Sequence, residues 1–166
     1  MSTRCQIGVY RKDEKDLNKW EALIYRRSDG YPEGVLPDII PFLKWFKTAR
    51  GISDTEYVSA RLLQWLTNEY DGVTAEIQKE LKTTLPQHLS NDTTSGYTGT
   101  LGFGICKDFH GDIEYFYAVY PNGVRVYEVT YSEKKQDPSK WILLRDINLD
   151  NGETLEEILK AIEQTA

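Results

Sequence analysis

Residues 113–131 read IEYFYAVYPNGVRVYEVTY, two runs of aromatic and branched residues on either side of the turn PNG at 121–123. Asn-Gly tolerates the positive φ angles that a tight hairpin turn requires. Valine and tyrosine are residues that strands favour. The stretch therefore predicts an antiparallel hairpin of residues 113–120 with residues 124–131. A last strand, predicted over 141–145, extends this hairpin into a β-meander.

A second hairpin is predicted near the N terminus. Residues 5–10 alternate apolar residues with small or polar ones, and residues 20–27 form another apolar run after a charged connection. Two such runs joined by a short polar loop most simply pair antiparallel. A further strand is predicted over 101–106, although Gly102 and Gly104 weaken its pattern.

Helical periodicity follows the first hairpin. One apolar stripe recurs at spacings of three and four residues, and its members are Leu36, Ile39, Ile40, Leu43 and Phe46. Pro37 suits the first turn of this helix, whereas Pro41 would delete a backbone hydrogen bond inside it. Gly51 is expected to end the helix.

Three more helices are predicted. Ser53 and Glu56 have the spacing of a capping box, so a second helix is expected from Ser53 to about residue 70. A weaker amphipathic pattern covers residues 74–85, and a short terminal helix is expected with Thr154 as its cap.

The order of these elements predicts the fold class. Consecutive hairpins are typical of an antiparallel sheet, and helices segregated from it are typical of an α+β fold. The sequence therefore predicts an antiparallel sheet, a hairpin plus a β-meander, covered on one face by two or three helices. At 166 residues a single domain over 1–166 is the default. Residues 86–100, rich in Ser, Thr, Asn and Gly, are predicted to be a mobile loop within it.

Charge and cysteine content exclude several classes. The net charge is −6, and residues 51–166 carry ten Lys/Arg against nineteen Asp/Glu. Duplex nucleic acid binders usually show a concentrated basic face, so this partner is not expected. Cys5 and Cys106 form no CxxC pair, which excludes a zinc ribbon. Reduced thiols are favoured over a disulfide, and the lack of a signal peptide or apolar span predicts a cytoplasmic protein without membrane contact.

The stretch YRRSDGYPEG at 25–34 is the first candidate site, because it joins a strand to a helix start. Free amide donors and the dipole at a helix start favour anions, and guanidinium groups bind phosphate or carboxylate. Tyrosine can stack on a base or form a hydrogen bond with a ligand. The candidate binding residues of this stretch are Tyr25, Arg26, Arg27, Asp29, Tyr31 and Glu33. The alternative is a polar turn in which the acids neutralise the arginines.

Residues 107–114, KDFHGDIE, are the second candidate. His110, Asp112 and Glu114 could supply metal ligands or a general base. The alternative is a solvated turn. No phosphate-loop, dinucleotide or nucleophile-elbow motif occurs in a fitting context, so no cofactor, no catalytic residue and no metal site is assigned.

The two strands around the PNG turn are aromatic on both faces. Their aromatic residues are Tyr115, Phe116, Tyr117, Tyr120, Tyr127 and Tyr131. One face must pack on the helices, while the other either meets more protein or lies exposed. A homodimer through this sheet is therefore expected.

Several of these residues resemble a family of small uncharacterised proteins of phages and prokaryotes. The resemblance rests on Thr3-Arg4-Cys5, on Tyr25-Arg26, on DGYPEG at 29–34 and on HGDIEY at 110–115, and it covers roughly residues 1–50 and 101–131. Many members carry a histidine near the position of Arg27. The phage setting implies a role in the contest between phage and host, and the family implies no activity.

These observations favour a non-enzymatic binding protein for a small anionic ligand, a nucleotide or a nucleotide-derived signal, which a phage could use to sequester a host immune signal. Arg4, Arg26, Arg27 and Tyr31 are expected to form its pocket, closed by His110 and Asp112. The first alternative is a protein–protein inhibitor module acting through the aromatic sheet. The second is a metal-dependent phosphodiesterase using His110, Asp112 and Glu114.

Overall fold

The protein is described by a computed structural model that covers residues 3–69 and 102–165. Within these ranges it has the predicted α+β fold. The elements are β1 (Cys5–Val9), β2 (Ala22–Arg26), α1 (Pro32–Ala49), α2 (Thr55–Glu69), β3 (Phe103–Ile105), β4 (Tyr115–Tyr120), β5 (Gly123–Glu128), β6 (Ile142–Asn148) and α3 (Leu155–Thr165). The helix predicted over 74–85 and the mobile loop predicted over 86–100 lie outside the described residues.

The strands form one sheet in the order β3-β2-β1-β4-β5-β6. Both predicted hairpins are present, β1 with β2 and β4 with β5. The second hairpin turns at PNG as predicted, but through Pro121 and Asn122, and neither Asn122 nor Gly123 has the positive φ expected of Asn-Gly, because Gly123 already pairs with Tyr120 in the ladder. The pairing of β1 with β4 is parallel and was not predicted. Because it joins the two hairpins through strands far apart in sequence, no local pattern could have indicated it.

One face of the sheet packs against the helices. Alternate residues of β1, such as Cys5, Ile7 and Val9, point to this face and are buried. The stripe predicted for α1 is buried against them, together with residues of α2 and α3. Burial of this kind contributes about 25 cal/mol for each Å² of apolar surface, so this layer is the main core.

The ends of α1 and α2 differ from the prediction. Pro32, not Pro37, occupies the first turn of α1, and both Pro37 and Pro41 lie inside the helix. The buried stripe of α1 outweighs the backbone hydrogen bonds that these two prolines remove. The helix α2 begins at Thr55, which places Asp54 rather than Ser53 at its cap position.

Two other predictions about helix ends are confirmed. The helix α1 ends before Gly51, which has a positive φ of 105°. Thr154 caps α3 by accepting a hydrogen bond from the backbone N–H of Glu157 at 3.1 Å. In the described part of the chain, no helix combines the length and the apolar character that crossing a membrane requires.

Among the described residues, the second face of the sheet is covered by the segments between the strands, not by α1, α2 or α3. Tyr10, Phe109, Phe116 and Trp141 are buried there, and the ring centroids of Phe116 and Trp141 are 4.7 Å apart. Most of the aromatic face that the sequence left open to a partner is thus covered by the chain itself. Tyr131 is the exception, since 68% of its surface is exposed.

Candidate functional site

Arg26 lies on the helix face of the sheet and is buried, with 3% of its surface exposed. Its Nη1 donates a hydrogen bond to Asp38 of α1 at 2.7 Å, and its Nε donates to the carbonyl of Ser28 at 2.8 Å. A guanidinium that is buried and paired in this way has little capacity for a ligand. Arg26 therefore ties the end of β2 to the first turns of α1.

The turn between β2 and α1 does meet the start of β1. The N–H of Gly30 donates to the carbonyl of Thr3 at 3.0 Å, and the carbonyl of Gly30 accepts from the buried hydroxyl of Tyr117 at 2.6 Å. A Cβ at Gly30 would lie 2.9 Å from backbone atoms of Arg4 and Cys5. Glycine is required here because two chain segments touch without room for a side chain.

Four of the candidate binding residues of the 25–34 stretch are exposed, namely Arg27, Asp29, Tyr31 and Glu33. Tyr31 donates its hydroxyl to Asp29 at 3.1 Å, and that contact raises the pKa of the tyrosine. Within residues 3–69 and 102–165, the side chain of Arg27 forms no hydrogen bond or ion pair, so the helix start carries no converging set of arginines.

A different set of predicted residues converges on the loop face, and we call Arg4, Tyr25, His110 and Asp112 the Arg4 cluster. The hydroxyl of Tyr25 donates to Asp112 Oδ2 at 3.1 Å, and Arg4 Nε lies 3.5 Å from the same oxygen. His110 Nδ1 is 3.8 Å from Asp112 Oδ1, and its ring centroid is 4.6 Å from that of Tyr25. The predicted meeting of Arg4 with the meander residues is therefore present.

The cluster brings together residues from three segments. Arg4 precedes β1, Tyr25 lies in β2, and His110 and Asp112 come from the loop before β4. Since Tyr25 and Arg26 are neighbours on a strand, they point to opposite faces. This alternation separates the two parts of the predicted pocket: Tyr25 joins the Arg4 cluster, and Arg26 faces α1.

Gln6 is a supporting residue that the sequence analysis missed. Its side chain is fully buried, its Oε1 accepts from the backbone N–H of His110 at 2.9 Å, and its Nε2 donates to the carbonyl of Asp108 at 3.2 Å. A buried amide needs partners, and here both come from one loop. Gln6 thereby fixes the position of His110. A polar residue in an otherwise apolar strand was the available signal.

The electrostatics of the cluster centre on Asp112. Burial raises the pKa of Tyr25 to about 12, helped by the charge of Asp112 and by the hydrogen bond to it. Asp112 Oδ1 is buried and has no hydrogen-bond partner among the described residues. An unpaired carboxylate oxygen of this kind favours a donor, and the imidazole of His110 is the nearest one, provided that Nδ1 carries a proton.

The two cysteines and the possible metal ligands do not add a reactive group. Cys5 and Cys106 are both free thiols on opposite faces of the sheet, and burial raises the pKa of each. Glu114 is exposed, and its backbone N–H donates to the carbonyl of Arg4. In the ranges that the structure covers, no three His, Cys, Asp or Glu residues converge as a metal-binding group.

Comparison with known proteins adds no identification. The chain matches no protein-family model, and neither the curated proteins nor the solved structures contain a match. The resemblance to small phage and prokaryotic proteins therefore stays a prediction.

Proposed function

We propose that this chain is a non-enzymatic binding protein for a small anionic ligand, and that the Arg4 cluster is its binding site. The ligand class is a nucleotide or a nucleotide-derived signal. Sequestration of a host immune signal by a phage is the biological role that the sequence resemblance suggests for such a protein.

The observation that supports this proposal is that only part of the Arg4 guanidinium is engaged in contacts within the protein. Its guanidinium forms an ion pair with Asp112 through Nε at 3.5 Å, and among the described residues its two terminal nitrogens donate no hydrogen bond. The side chain is 40% exposed, so these nitrogens are available to an anion from solvent. Charge-assisted hydrogen bonds from a guanidinium to phosphate are among the stronger polar contacts in proteins.

The neighbours of Arg4 suit a ligand with a ring. The side chain of His110 is 46% exposed and lies beside the ring of Tyr25. A base could stack on these rings, since stacking on aromatic side chains contributes about 1–3 kcal/mol for each base. The guanidinium of Arg4 suits the phosphate of a nucleotide, and the rings of Tyr25 and His110 suit its base.

The test is a thermal-shift panel of linear and cyclic nucleotides, with and without magnesium, on the wild type, Arg4→Ala and Arg27→Ala. A ligand at a hundred times its dissociation constant adds about 2.7 kcal/mol of stability. We expect one nucleotide class to raise the midpoint of the wild type and of Arg27→Ala, with at least about tenfold weaker binding to Arg4→Ala. An equal loss of nucleotide binding in Arg4→Ala and Arg27→Ala would show only a general effect of removing positive charge.

Recovery of the ligand separates binding from turnover. Intact nucleotide after incubation supports a binding protein, whereas magnesium-dependent hydrolysis that is lost in His110→Ala would support the phosphodiesterase alternative. The absence of any shift across the panel would reject the proposal and leave the protein–protein alternative. That alternative would have to use exposed residues such as Tyr131, because the rest of the aromatic face is largely covered.

A further inference from the structure

A second polar region lies on the loop face, at the end of the sheet opposite the Arg4 cluster. A cavity of about 280 Å³ opens beside the β4–β5 turn, and Lys12, Tyr120, Arg125 and Asp146 contribute to its wall. The strand β4 spans about 17 Å from Tyr115, near Arg4, to Tyr120, at the rise of an extended chain. A small ligand cannot reach both regions at once.

The guanidinium of Arg125 is held rigidly in this cavity. It lies 4.8 Å from the ring centroid of Tyr120, and its Nε donates to Asp146 Oδ2 at 3.2 Å. Arg125 and Asp146 are also cross-strand partners in the register of β5 and β6. Side chains fixed by packing and by second contacts lose little entropy when a ligand binds.

Lys12 gives the cavity its positive charge. Arg125 is balanced by Asp146, whereas Lys12 forms no hydrogen bond or ion pair within the described ranges. The wall thus holds two cations and one carboxylate, on a chain whose net charge is −6. A local excess of positive charge on an acidic protein favours an anion at this place.

The other part of the wall is apolar. The rings of Tyr120 and Pro121 line the cavity, and Tyr120 is supported from behind by the ring of Tyr10 at 5.4 Å. The volume lies near the lower end of the roughly 300–1,000 Å³ typical of ligand pockets. These dimensions fit a metabolite-sized molecule.

We infer that this cavity binds a small organic monoanion, with a carboxylate near Lys12 and Arg125 and an apolar body against Tyr120 and Pro121. The site is independent of the Arg4 cluster, so it does not depend on the proposed function. A carboxylate is favoured over phosphate for two reasons. The single unbalanced cation, Lys12, matches the single negative charge of a carboxylate. The apolar part of the wall matches an apolar body, which inorganic phosphate lacks.

The test is an amide NMR titration with benzoate as the probe, and with benzyl alcohol and inorganic phosphate as comparisons. We expect benzoate to shift the amide signals of residues 12, 120, 122, 123 and 146–148. The neutral alcohol and the phosphate, which lacks an apolar body, should bind at least about tenfold more weakly. Equal binding of phosphate and benzoate would overturn the assignment.

Variants complete the test. Lys12→Glu should weaken the binding of benzoate at least about tenfold. Lys15 is an exposed residue of the same loop that does not line the cavity, so Lys15→Glu should leave the binding of benzoate unchanged. Arg4→Ala should also leave benzoate binding unchanged, which separates this site from the Arg4 cluster. Equal weakening by Lys12→Glu and Lys15→Glu, or benzoate shifts at residues 4 and 110–112 instead, would contradict the inference.

Discussion

The two faces of the sheet are both buried, but different kinds of structure cover them. The helix face carries a continuous aliphatic core, with isoleucine, leucine and valine from the strands and from three described helices. The loop face carries an aromatic core under irregular segments, with Tyr10, Phe109, Phe116 and Trp141 at its centre. At the margins of the loop face, partly exposed charged groups lie beside rings, as Arg4 and His110 do at Tyr25 and Arg125 does at Tyr120.

This difference explains where a ligand site can form. Helices cover the centre of their face and leave Arg26 buried and paired. Loops end at the rim of the aromatic core, where Arg4 and His110 remain about half exposed. Binding residues are found disproportionately on loops that a rigid scaffold positions. The loop face has that arrangement at both ends of β4.

The largest expected effect tests whether the loop face is a true core. Phe116→Ala should destabilise the protein by about 3–5 kcal/mol, because the ring is fully buried and contacts other rings. Phe42→Ala on the helix face should cost a similar amount. Urea unfolding measures both. A loss below about 1 kcal/mol for Phe116→Ala alone would show that the loops cover this face only loosely.

The neighbouring arginines Arg26 and Arg27 test the assignment of faces. Arg26→Ala should cost about 3 kcal/mol, because it leaves Asp38, whose side chain is only 20% exposed, without its cation. Arg27→Ala should change the free energy of unfolding very little, since its side chain is exposed. Equal effects of the two substitutions in urea unfolding would contradict the placement of Arg26 under α1.

A pair of glycines gives a smaller effect. Gly30→Ala should cost about 1–3 kcal/mol, because the new Cβ would lie 2.9 Å from atoms of Arg4 and Cys5. Gly104→Ala meets no atom within 4 Å among the described residues and should be close to neutral. Unfolding midpoints of the two variants would decide. Similar midpoints would mean that the turn does not contact β1 as described.

The smallest effect is a pH dependence from Tyr25. Its pKa is raised to about 12 in the fold, chiefly by burial and then by Asp112, so the folded state retains the phenol proton longer than the unfolded state does. The resulting stability is present below about pH 10 and is lost as the pH rises towards 12. The free energy of unfolding of Tyr25→Phe should decline less steeply between about pH 10 and 12 than that of the wild type, when unfolding is measured at several pH values. An unchanged slope would contradict the contact with Asp112.

Local patterns in the sequence predicted much of this fold. The PNG turn, the stripe of α1 and the cap at Thr154 depend on residues close together in the chain, and each was placed correctly. The parallel pairing of β1 with β4 and the covering of the aromatic face depend on long-range contacts, which periodicity does not encode.

The candidate site was predicted in part. The chemistry of the side chains was enough to select Arg4, Tyr25, His110 and Asp112 as binding residues. The pattern could not show which face of the sheet each of them occupies. Because β2 continues to Arg26, Tyr25 and Arg26 point to opposite faces, and this alternation divides the predicted pocket. Gln6 was overlooked because a single glutamine in a strand has the same pattern whether it is exposed or buried.

The most direct test of the proposed binding site is an NMR titration of the protein with adenosine monophosphate. Binding at the Arg4 cluster predicts that the Nε–H signal of Arg4 and the amides of His110 and Asp112 shift, and that the amides of residues 33–35 at the start of α1 do not. Shifts confined to residues 33–35 would contradict this assignment, because they would place the anion at the helix start instead of on the loop face.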